Sequence, residues 1–267
     1  MDWPAADAVM VRNFGSNDRG RPVLGTVFEG EGPVLAAEGG ELIFSRSGGE
    51  TASRLPSPLG AWTALDHGDG LISIYSRCED VGGTTAGRRT ERGSPVAVTG
   101  ISGWSGRQGV YFILYDRRER RWVNPSMIIT PFPDTRQPQI LAVDLHNAQG
   151  ALVPRGQNRI SQGRYTVLVS AVDTMLSSQE NPLAPHRIVC SVNGVEIGSL
   201  HFETISARDG VLMVYRNGLS PVTQVYAPFP AFEAGEVFLS RGQASLEIIV
   251  QDIAGNSRVT LSRLTVE

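Results

Sequence analysis

The residue types that most often carry out chemistry in proteins are scarce in this chain of 267 residues. All 24 basic residues are arginines, and the absence of lysine excludes Schiff-base chemistry, lysine general bases and a Walker-type phosphate loop. The four histidines are His67, His146, His186 and His201, and they form no closely spaced metal-binding motif. Any histidine-based site must therefore be built from these four.

One acidic turn is a candidate cation site. The sequence Asp252-Ile253-Ala254-Gly255-Asn256 is similar to turns in calcium-binding extracellular modules. Calcium takes about six to eight oxygen ligands, and this stretch offers few. A plain β-turn between two strands is the favoured interpretation.

The two cysteines, Cys78 and Cys190, are far apart in the sequence. A disulfide between them would need Cα atoms within about 7 Å of each other. Two buried thiols are the favoured interpretation, with the disulfide as the alternative.

Composition limits the possible partners. The net charge is −3, so the broad basic surface that non-specific nucleic-acid binding needs is not expected. No apolar run approaches the roughly 20 residues of a membrane helix, so we predict no transmembrane segment. No signal peptide is recognisable at the start of the sequence.

The elements that must position any site are predicted to be strands. Thirty glycines and 16 prolines favour short strands and turns over long helices. Apolar runs of strand length recur, for example at residues 41–44, 71–75 and 110–114, and no helical period persists among them. The predicted fold class is therefore all-β.

A proline-rich stretch divides the chain. Residues 130–138 contain three prolines, a stiff composition typical of a linker. We predict an N-terminal arm at residues 1–20, a first domain at 21–134 and a second domain at 135–267. The second domain has strands at sandwich spacing, an Asn193-Gly194 hairpin turn and a final strand–turn–strand, which are typical of an immunoglobulin-like β-sandwich.

The first domain resembles the lysostaphin/LytM-type zinc endopeptidases, which cut peptidoglycan cross-bridges. Residues 62–77 look like the family's central V-x-I-x-H-x-D-G-x-x-T-x-Y-x-H-L motif, and Trp122-Val123-Asn124-Pro125 is similar to its closing V-N-P. Three further anchors occur in the family's order, at residues 25–42, 93–100 and 105–112. The resemblance covers about 110 residues and implies a LytM-type β-barrel or sheet domain with the duplicated hybrid motif.

The same resemblance locates the family's functional positions. The three zinc ligands fall at Val23, Val27 and Tyr111, and the two catalytic histidines fall at Arg77 and Gly109. None of the five is preserved, and valine has no lone pair to give a metal. Without the metal there is no low-pKa water and no Lewis acid for the scissile carbonyl. The resemblance therefore implies a pseudoenzyme that binds no zinc or other cofactor.

A former substrate groove remains a candidate binding surface. Arginine pairs bidentately with carboxylates, which peptidoglycan stems carry, and aromatic residues can stack on sugars. His67 has two interpretations, a structural hydrogen-bonded histidine or, with Asp69, the remnant of a metal site. The predicted groove residues are His67, Asp69, Arg77, Trp104, Arg107 and Tyr111.

Three classes of function follow. The leading hypothesis is a catalytically inactive protein that binds peptidoglycan or regulates a cell-wall hydrolase. The alternatives are an active zinc metalloendopeptidase with non-standard ligands and a structural or adhesive envelope protein. The resemblance implies export to the periplasm or cell envelope, with the signal peptide removed.

Overall fold

The computed structural model describes residues 1–5, 7–47, 57–81, 87–175 and 181–267. The described chain is almost entirely β-structure, as the sequence predicted. It divides into two compact units. The first is formed mainly by Met1–Phe14 and Val23–Phe132, and the second by Gly15–Pro22, Pro133–Met175 and Pro182–Glu267. The break after Phe132 lies two residues before the predicted domain boundary.

The strands of the first 130 residues are short. In chain order they are β1 (Val9–Arg12), β2 (Asn17–Asp18), β3 (Arg21–Pro22), β4 (Thr26–Glu29), β5 (Pro33–Leu35), β6 (Gly40–Arg46), β7 (Ala61–Asp66), β8 (Leu71–Cys78), β9 (Arg89–Thr90), β10 (Pro95–Val98), β11 (Gly109–Asp116) and β12 (Arg121–Val123). A 3₁₀ turn at Pro125–Met127 follows them.

The first unit is built around one antiparallel sheet. Its strand order is β1-β4-β11-β8-β7-β6-β9, with β12 also paired to β11. A separate ladder joins β5 and β10. Phe28, Tyr75 and Phe112 are fully buried beside this sheet, and the rings of Tyr75 and Phe112 are 5.3 Å apart. The sheet places β4, β11 and β8 side by side, which brings the family's functional positions together.

The first 20 residues differ from the predicted separate arm. Val9–Arg12 pairs with β4 as a strand of the first unit, and Trp3 and Phe14 are buried. In the second unit, Gly15 lies against the ring of Phe202. Burying each large apolar side chain stabilises the fold by about 1.5–3 kcal/mol, so Trp3 and Phe14 add to the β1–β4 pairing in holding this segment in place.

The second unit contains the longer strands. In chain order they are β13 (Gln139–Asn147), β14 (Arg159–Ile160), β15 (Gly163–Val172), β16 (Arg187–Val192), β17 (Val195–Arg208), β18 (Val211–Arg216), β19 (Leu219–Pro221), β20 (Ala231–Leu239), β21 (Gly242–Gln251) and β22 (Ser257–Val266). A second 3₁₀ turn lies at Val222–Gln224. Neither helical turn in the described part of the chain is long or apolar enough to cross a membrane.

Two large sheets form most of the second unit, to which the short β2-β3 ladder also belongs. One has the order β13-β15-β20, and the other contains β14-β22-β21-β16-β17 followed by β18 and β19. Alternate residues of β15 and β21 are buried, the pattern of strands that cover a core on one face. Asn193 and Gly194, at φ values of 52° and 78°, join β16 to β17. This is the predicted hairpin, because a type I′ turn needs positive φ at both central residues.

Candidate functional site

Two neighbouring strands, β4 and β11, bring together residues at the predicted zinc positions. In the register of the sheet, Tyr111 on β11 lies opposite Val27 on β4 and opposite Ser76 on β8. The hydroxyl of Tyr111 accepts a hydrogen bond of 2.9 Å from the backbone N–H of Leu24. That contact ties Tyr111 to the segment just after Val23. Val27, Tyr111 and the segment at Val23 are therefore neighbours in the structure.

The side chains at these positions cannot hold a catalytic zinc ion. Val23 and Val27 are buried hydrocarbon groups with no donor atom. The phenol oxygen of Tyr111 would have to lose a proton whose ordinary pKa is about 10 before it could act as an anionic ligand. Zinc in proteins is held by histidine, cysteine or carboxylate groups, so the residues present do not fit the family's metal.

Gly109, at one catalytic-histidine position, is enclosed by backbone. A Cβ atom placed there would overlap the carbonyl oxygen of Phe28 on the adjacent strand. A Cβ atom placed on Gly25 would likewise overlap the carbonyl oxygen of Phe112. Because β4 and β11 approach so closely at both points, a histidine could occupy position 109 only if the two strands moved apart.

Arg77, at the other catalytic-histidine position, has an unusual backbone. Ala61 pairs with Cys78 and Trp62 pairs with Ser76, so Arg77 is the extra residue of a β-bulge on β8. Its φ is 69°, in the left-handed region that favours glycine. Its guanidinium carbon lies 5.0 Å from the centroid of the Tyr111 ring, a cation–π distance. The bulge thus directs a cationic group over the aromatic ring at the centre of the site.

Two further groove residues, Trp104 and Arg107, lie in the loop before β11. The N–H of Trp104 donates to the carbonyl of Pro58, and the next carbonyl, that of Leu59, accepts from the N–H of Arg77. The Trp104 side chain is 79% exposed. Arg107 donates a 3.0 Å hydrogen bond to Glu29 at the end of β4. We call Arg77, Trp104, Arg107 and Tyr111 the Arg77 face.

The other two predicted groove residues lie elsewhere. His67 and Asp69 are in the turn between β7 and β8, beside Leu71. Leu71 and Ser76 are separated by roughly 17 Å along β8 at ~3.3 Å per residue. Asp69 is exposed and forms a 3.1 Å ion pair with Arg118. The structure therefore does not place these two residues on the Arg77 face.

His67 takes part in a chain of hydrogen bonds. Its Nδ1 lies 2.9 Å from the carbonyl oxygen of Gly39 and its Nε2 lies 2.7 Å from Ser73 Oγ. Ser73 Oγ is 2.9 Å from the hydroxyl of Tyr75, which accepts from the N–H of Ala37. A carbonyl can only accept, so Nδ1 donates to Gly39 and carries a proton. These contacts occupy both ring nitrogens and favour the structural interpretation of His67.

Neither cysteine is a nucleophile. Cys78 and Cys190 are both free and buried, as the favoured interpretation predicted. Burial raises the pKa of each thiol to about 12, because a thiolate would lose its hydration. Cys78 follows Arg77 directly in the chain. Because its thiol is buried and holds its proton, it adds no covalent chemistry to the Arg77 face.

One carboxylate cluster was not foreseen from the sequence. Among the described residues, a group of side chains close enough to hold a metal ion is formed by Asp134, Asp173 and Asp252, all in the second unit. The sequence singled out Asp252 alone, through its turn. No local pattern connects it with the other two, which are brought near by the pairing of distant strands.

Comparisons with known proteins give the following. A protein-family model matches residues 137–267, within the second unit. No curated protein matches the chain. Three solved structures illustrate what it is similar to.

One of the three structures is of an M23 protein and two are of lysostaphin. A mutant catalytic domain of the prophage-encoded M23 protein EnpA from Enterococcus faecalis is 22% identical and aligns with 41% of this chain and 81% of that one, at a TM-score of 0.35. The catalytic domain of the antimicrobial peptidase lysostaphin from Staphylococcus simulans is 16% identical, with 42% and 82% covered and a TM-score of 0.37. The solution structure of lysostaphin is 14% identical, with 89% and 97% covered and a TM-score of 0.40. These three structures are what the chain is similar to, and conclusions about its fold and chemistry rest on its own strands and residues.

Proposed function

We propose that this chain is a catalytically inactive LytM-type protein of the bacterial cell envelope that binds peptidoglycan through the Arg77 face. The observation that carries the proposal is the pairing of Arg77 with Tyr111. At the position where the family has a catalytic histidine, the chain holds an arginine in a conformation that favours glycine. Such strain persists where the surrounding structure imposes it, and it is common at functional sites.

The chemistry of the neighbouring residues supports the loss of catalysis. Val23, Val27 and Tyr111 offer no set of zinc ligands, and Gly109 is enclosed by the backbone of β4. Hydrolysis of a peptide bond by this family's route needs a metal-activated water and a partner for the oxyanion. The described residues of the Arg77 face offer no ligand set for the metal that would activate the water.

The same residues suit the binding of an anionic saccharide–peptide polymer. A guanidinium group forms two parallel hydrogen bonds with a carboxylate, and stem peptides carry several carboxylates. The exposed indole of Trp104 offers a flat surface on which a sugar can stack. Arg107 adds a second cationic group at the same end of the sheet, although it is already paired with Glu29.

We further propose that the second unit is an immunoglobulin-like domain. Its strand order, with β13-β15-β20 in one sheet and β22-β21-β16-β17 in the other, supports this assignment. An envelope location is proposed from the resemblance of the first unit and is consistent with a two-domain β-protein that carries a binding surface.

Co-sedimentation with purified peptidoglycan sacculi tests the proposal. The full chain should pellet with sacculi, and Arg77→Ala should weaken the binding about tenfold or more, because a lost charge-assisted hydrogen bond is worth roughly 1.5–3 kcal/mol. Arg164→Ala is the matched control: Arg164 is an exposed arginine of the second unit, paired with Glu236. The control should bind like the unchanged protein.

Other outcomes would favour the alternatives. Release of soluble fragments from sacculi after zinc loading, lost again in chelator, would indicate an active metalloendopeptidase. Sacculus binding that Arg77→Ala leaves unchanged would place the interaction on another surface, as in an adhesive protein. No binding to sacculi, together with capture of a purified cell-wall hydrolase, would indicate a regulatory role.

A further inference from the structure

Three aspartates from distant parts of the sequence meet at one end of the second unit. Asp134 precedes β13, Asp173 follows β15 and Asp252 follows β21. Antiparallel pairing of Gln139 with Val172 places the start of β13 beside the end of β15. One carboxylate oxygen from each aspartate lies within 4.8 Å of the others.

Two of the three carboxylates are removed from solvent. Asp173 is 3% exposed and Asp252 is 2% exposed. Among the described residues, no arginine forms an ion pair with either of them. A buried charge normally has a cationic or metal partner, because its loss of hydration is otherwise uncompensated.

Asp173 provides a second, independent observation. Its Oδ1 atom is buried and has no hydrogen-bond partner among the described residues. An unpaired acceptor in such a position is uncommon in a folded protein and calls for a missing ligand or proton. The atom belongs to the carboxylate that contributes to the three-aspartate cluster, so the missing partner would lie at the cluster itself.

The turn after β21 holds Asp252 in place. Its two carboxylate oxygens accept hydrogen bonds of 2.8 Å from the backbone N–H and the side-chain Nδ2 of Asn256. The same Nδ2 also donates to the carbonyl of Asp134, at 3.2 Å. The turn therefore fixes one carboxylate and links it to the segment that carries another.

Burial and mutual repulsion act together on these groups. They raise the pKa of Asp173 to about 7, with loss of hydration the largest cause and the charges of Asp252 and Asp134 next. Loss of hydration also raises the pKa of Asp252. Such a cluster is relieved either by a proton or by a cation, and only a cation uses all three carboxylates.

We propose that Asp134, Asp173 and Asp252 form a calcium site in the second unit. The donors are all oxygen atoms, which suit a hard cation and not the nitrogen- and sulfur-binding metals. The three ligand oxygens lie within 4.8 Å of one another, close enough to converge on one ion. Calcium accepts an irregular shell of about six to eight oxygens, whereas magnesium demands near-octahedral geometry and keeps most of its waters, so an irregular set of three carboxylates suits calcium better. Asp134 is partly exposed, so the site can be reached from solvent and completed by water.

Thermal unfolding of the full chain in chelator and in about 10 mM calcium chloride tests this site. That concentration is roughly one hundred times the dissociation constant of the tighter extracellular calcium modules, so it should raise the folded-to-unfolded ratio about 100-fold. We expect the Tm of one transition to rise by roughly 5–15 °C. Isothermal titration should give one calcium ion per chain.

Two variants and a control make the test specific. Asp173→Asn and Asp134→Asn should fold in chelator, because they remove repulsion, and should lose most of the calcium-induced Tm rise. Asp209→Asn is the control. Asp209 lies in an exposed turn at a φ of 50°, which asparagine tolerates, so this variant should keep the calcium-induced rise in Tm. No Tm change and no calcium uptake by the unchanged chain would overturn the proposal. Undiminished calcium binding by Asp173→Asn would also overturn it, as would a Tm rise of the same size in magnesium chloride.

Discussion

Replacing Arg77 separates the strain at the bulge from the chemistry of the guanidinium group. Arg77 has a φ of 69° and its guanidinium lies over the ring of Tyr111. Arg77→Gly and Arg77→Ala both remove the cation. Only the glycine variant also removes the steric cost of the left-handed backbone. The difference in stability between the two variants therefore reports that cost, reduced by the extra conformational entropy that glycine loses on folding.

The expected change in the free energy of unfolding follows from three contributions. The left-handed conformation costs a non-glycine residue roughly 1–2 kcal/mol, and loss of the cation–π contact costs about 0.5–1 kcal/mol. A glycine also loses roughly 0.5–1 kcal/mol more than alanine on folding. Arg77→Ala should therefore be destabilised by about 0.5–1 kcal/mol, because it keeps the strain. Arg77→Gly should lie within about 1 kcal/mol of the unchanged protein and above the alanine variant.

Urea unfolding of the three proteins, with equal m values, provides the measurement. Both variants should lose sacculus binding to the same extent, since both lack the guanidinium group. An alanine variant more stable than the glycine variant by about 0.5–1 kcal/mol, the entropy cost of glycine alone, would show that the bulge stores no strain. A glycine variant that retained sacculus binding would refute the role of the cation.

Three more predictions concern buried groups. Gly109→Ala should lower the free energy of unfolding, measured in urea, by about 3 kcal/mol or more, because β4 must move to make room for the new methyl group. Gly106→Ala is the control: open space surrounds this position, and the loss should be under about 1 kcal/mol. Equal losses in the two variants would contradict the close approach of the strands. Cys78 and Cys190 should react with a thiol reagent roughly 100-fold more slowly in the folded protein than in urea, and fast reaction before unfolding would contradict their burial. In chelator, the folded state should hold a proton on Asp173 that the unfolded state releases. The free energy of unfolding should therefore fall as the pH rises from about 4 to about 7, by at most roughly 4 kcal/mol. Urea unfolding across this range should show the fall in the unchanged chain and not in Asp173→Asn, and a rise relative to that variant would contradict the raised pKa.

Local sequence patterns predicted much of the fold. Glycines and prolines between short apolar runs indicated an all-β chain, and the structure has that class. Asn193-Gly194 predicted a hairpin because few other dipeptides adopt positive φ twice in succession. The prolines after residue 130 indicated the division between the two units.

Patterns that depend on packing were harder to interpret. Trp3 and Phe14 stand among polar residues, and nothing local shows that a distant sheet buries them. His67 and Asp69 align near Arg77 in the central motif. Strand β8 separates the turn that holds His67 and Asp69 from Arg77, so the turn lies at the opposite end of the sheet. One continuous motif therefore contributes residues to both ends of the strand.

The sequence by itself determined which side chains stand at the predicted ligand and histidine positions, and valine and glycine side chains offer a metal no donor atom in any fold. Only the tertiary structure decided what surrounds those positions. A one-residue bulge turns Arg77 over Tyr111, and strand pairing across more than 100 residues brings Asp134 to Asp252. Both arrangements depend on the register between strands, which is fixed by the packing of the whole sheet and not by neighbours in the chain.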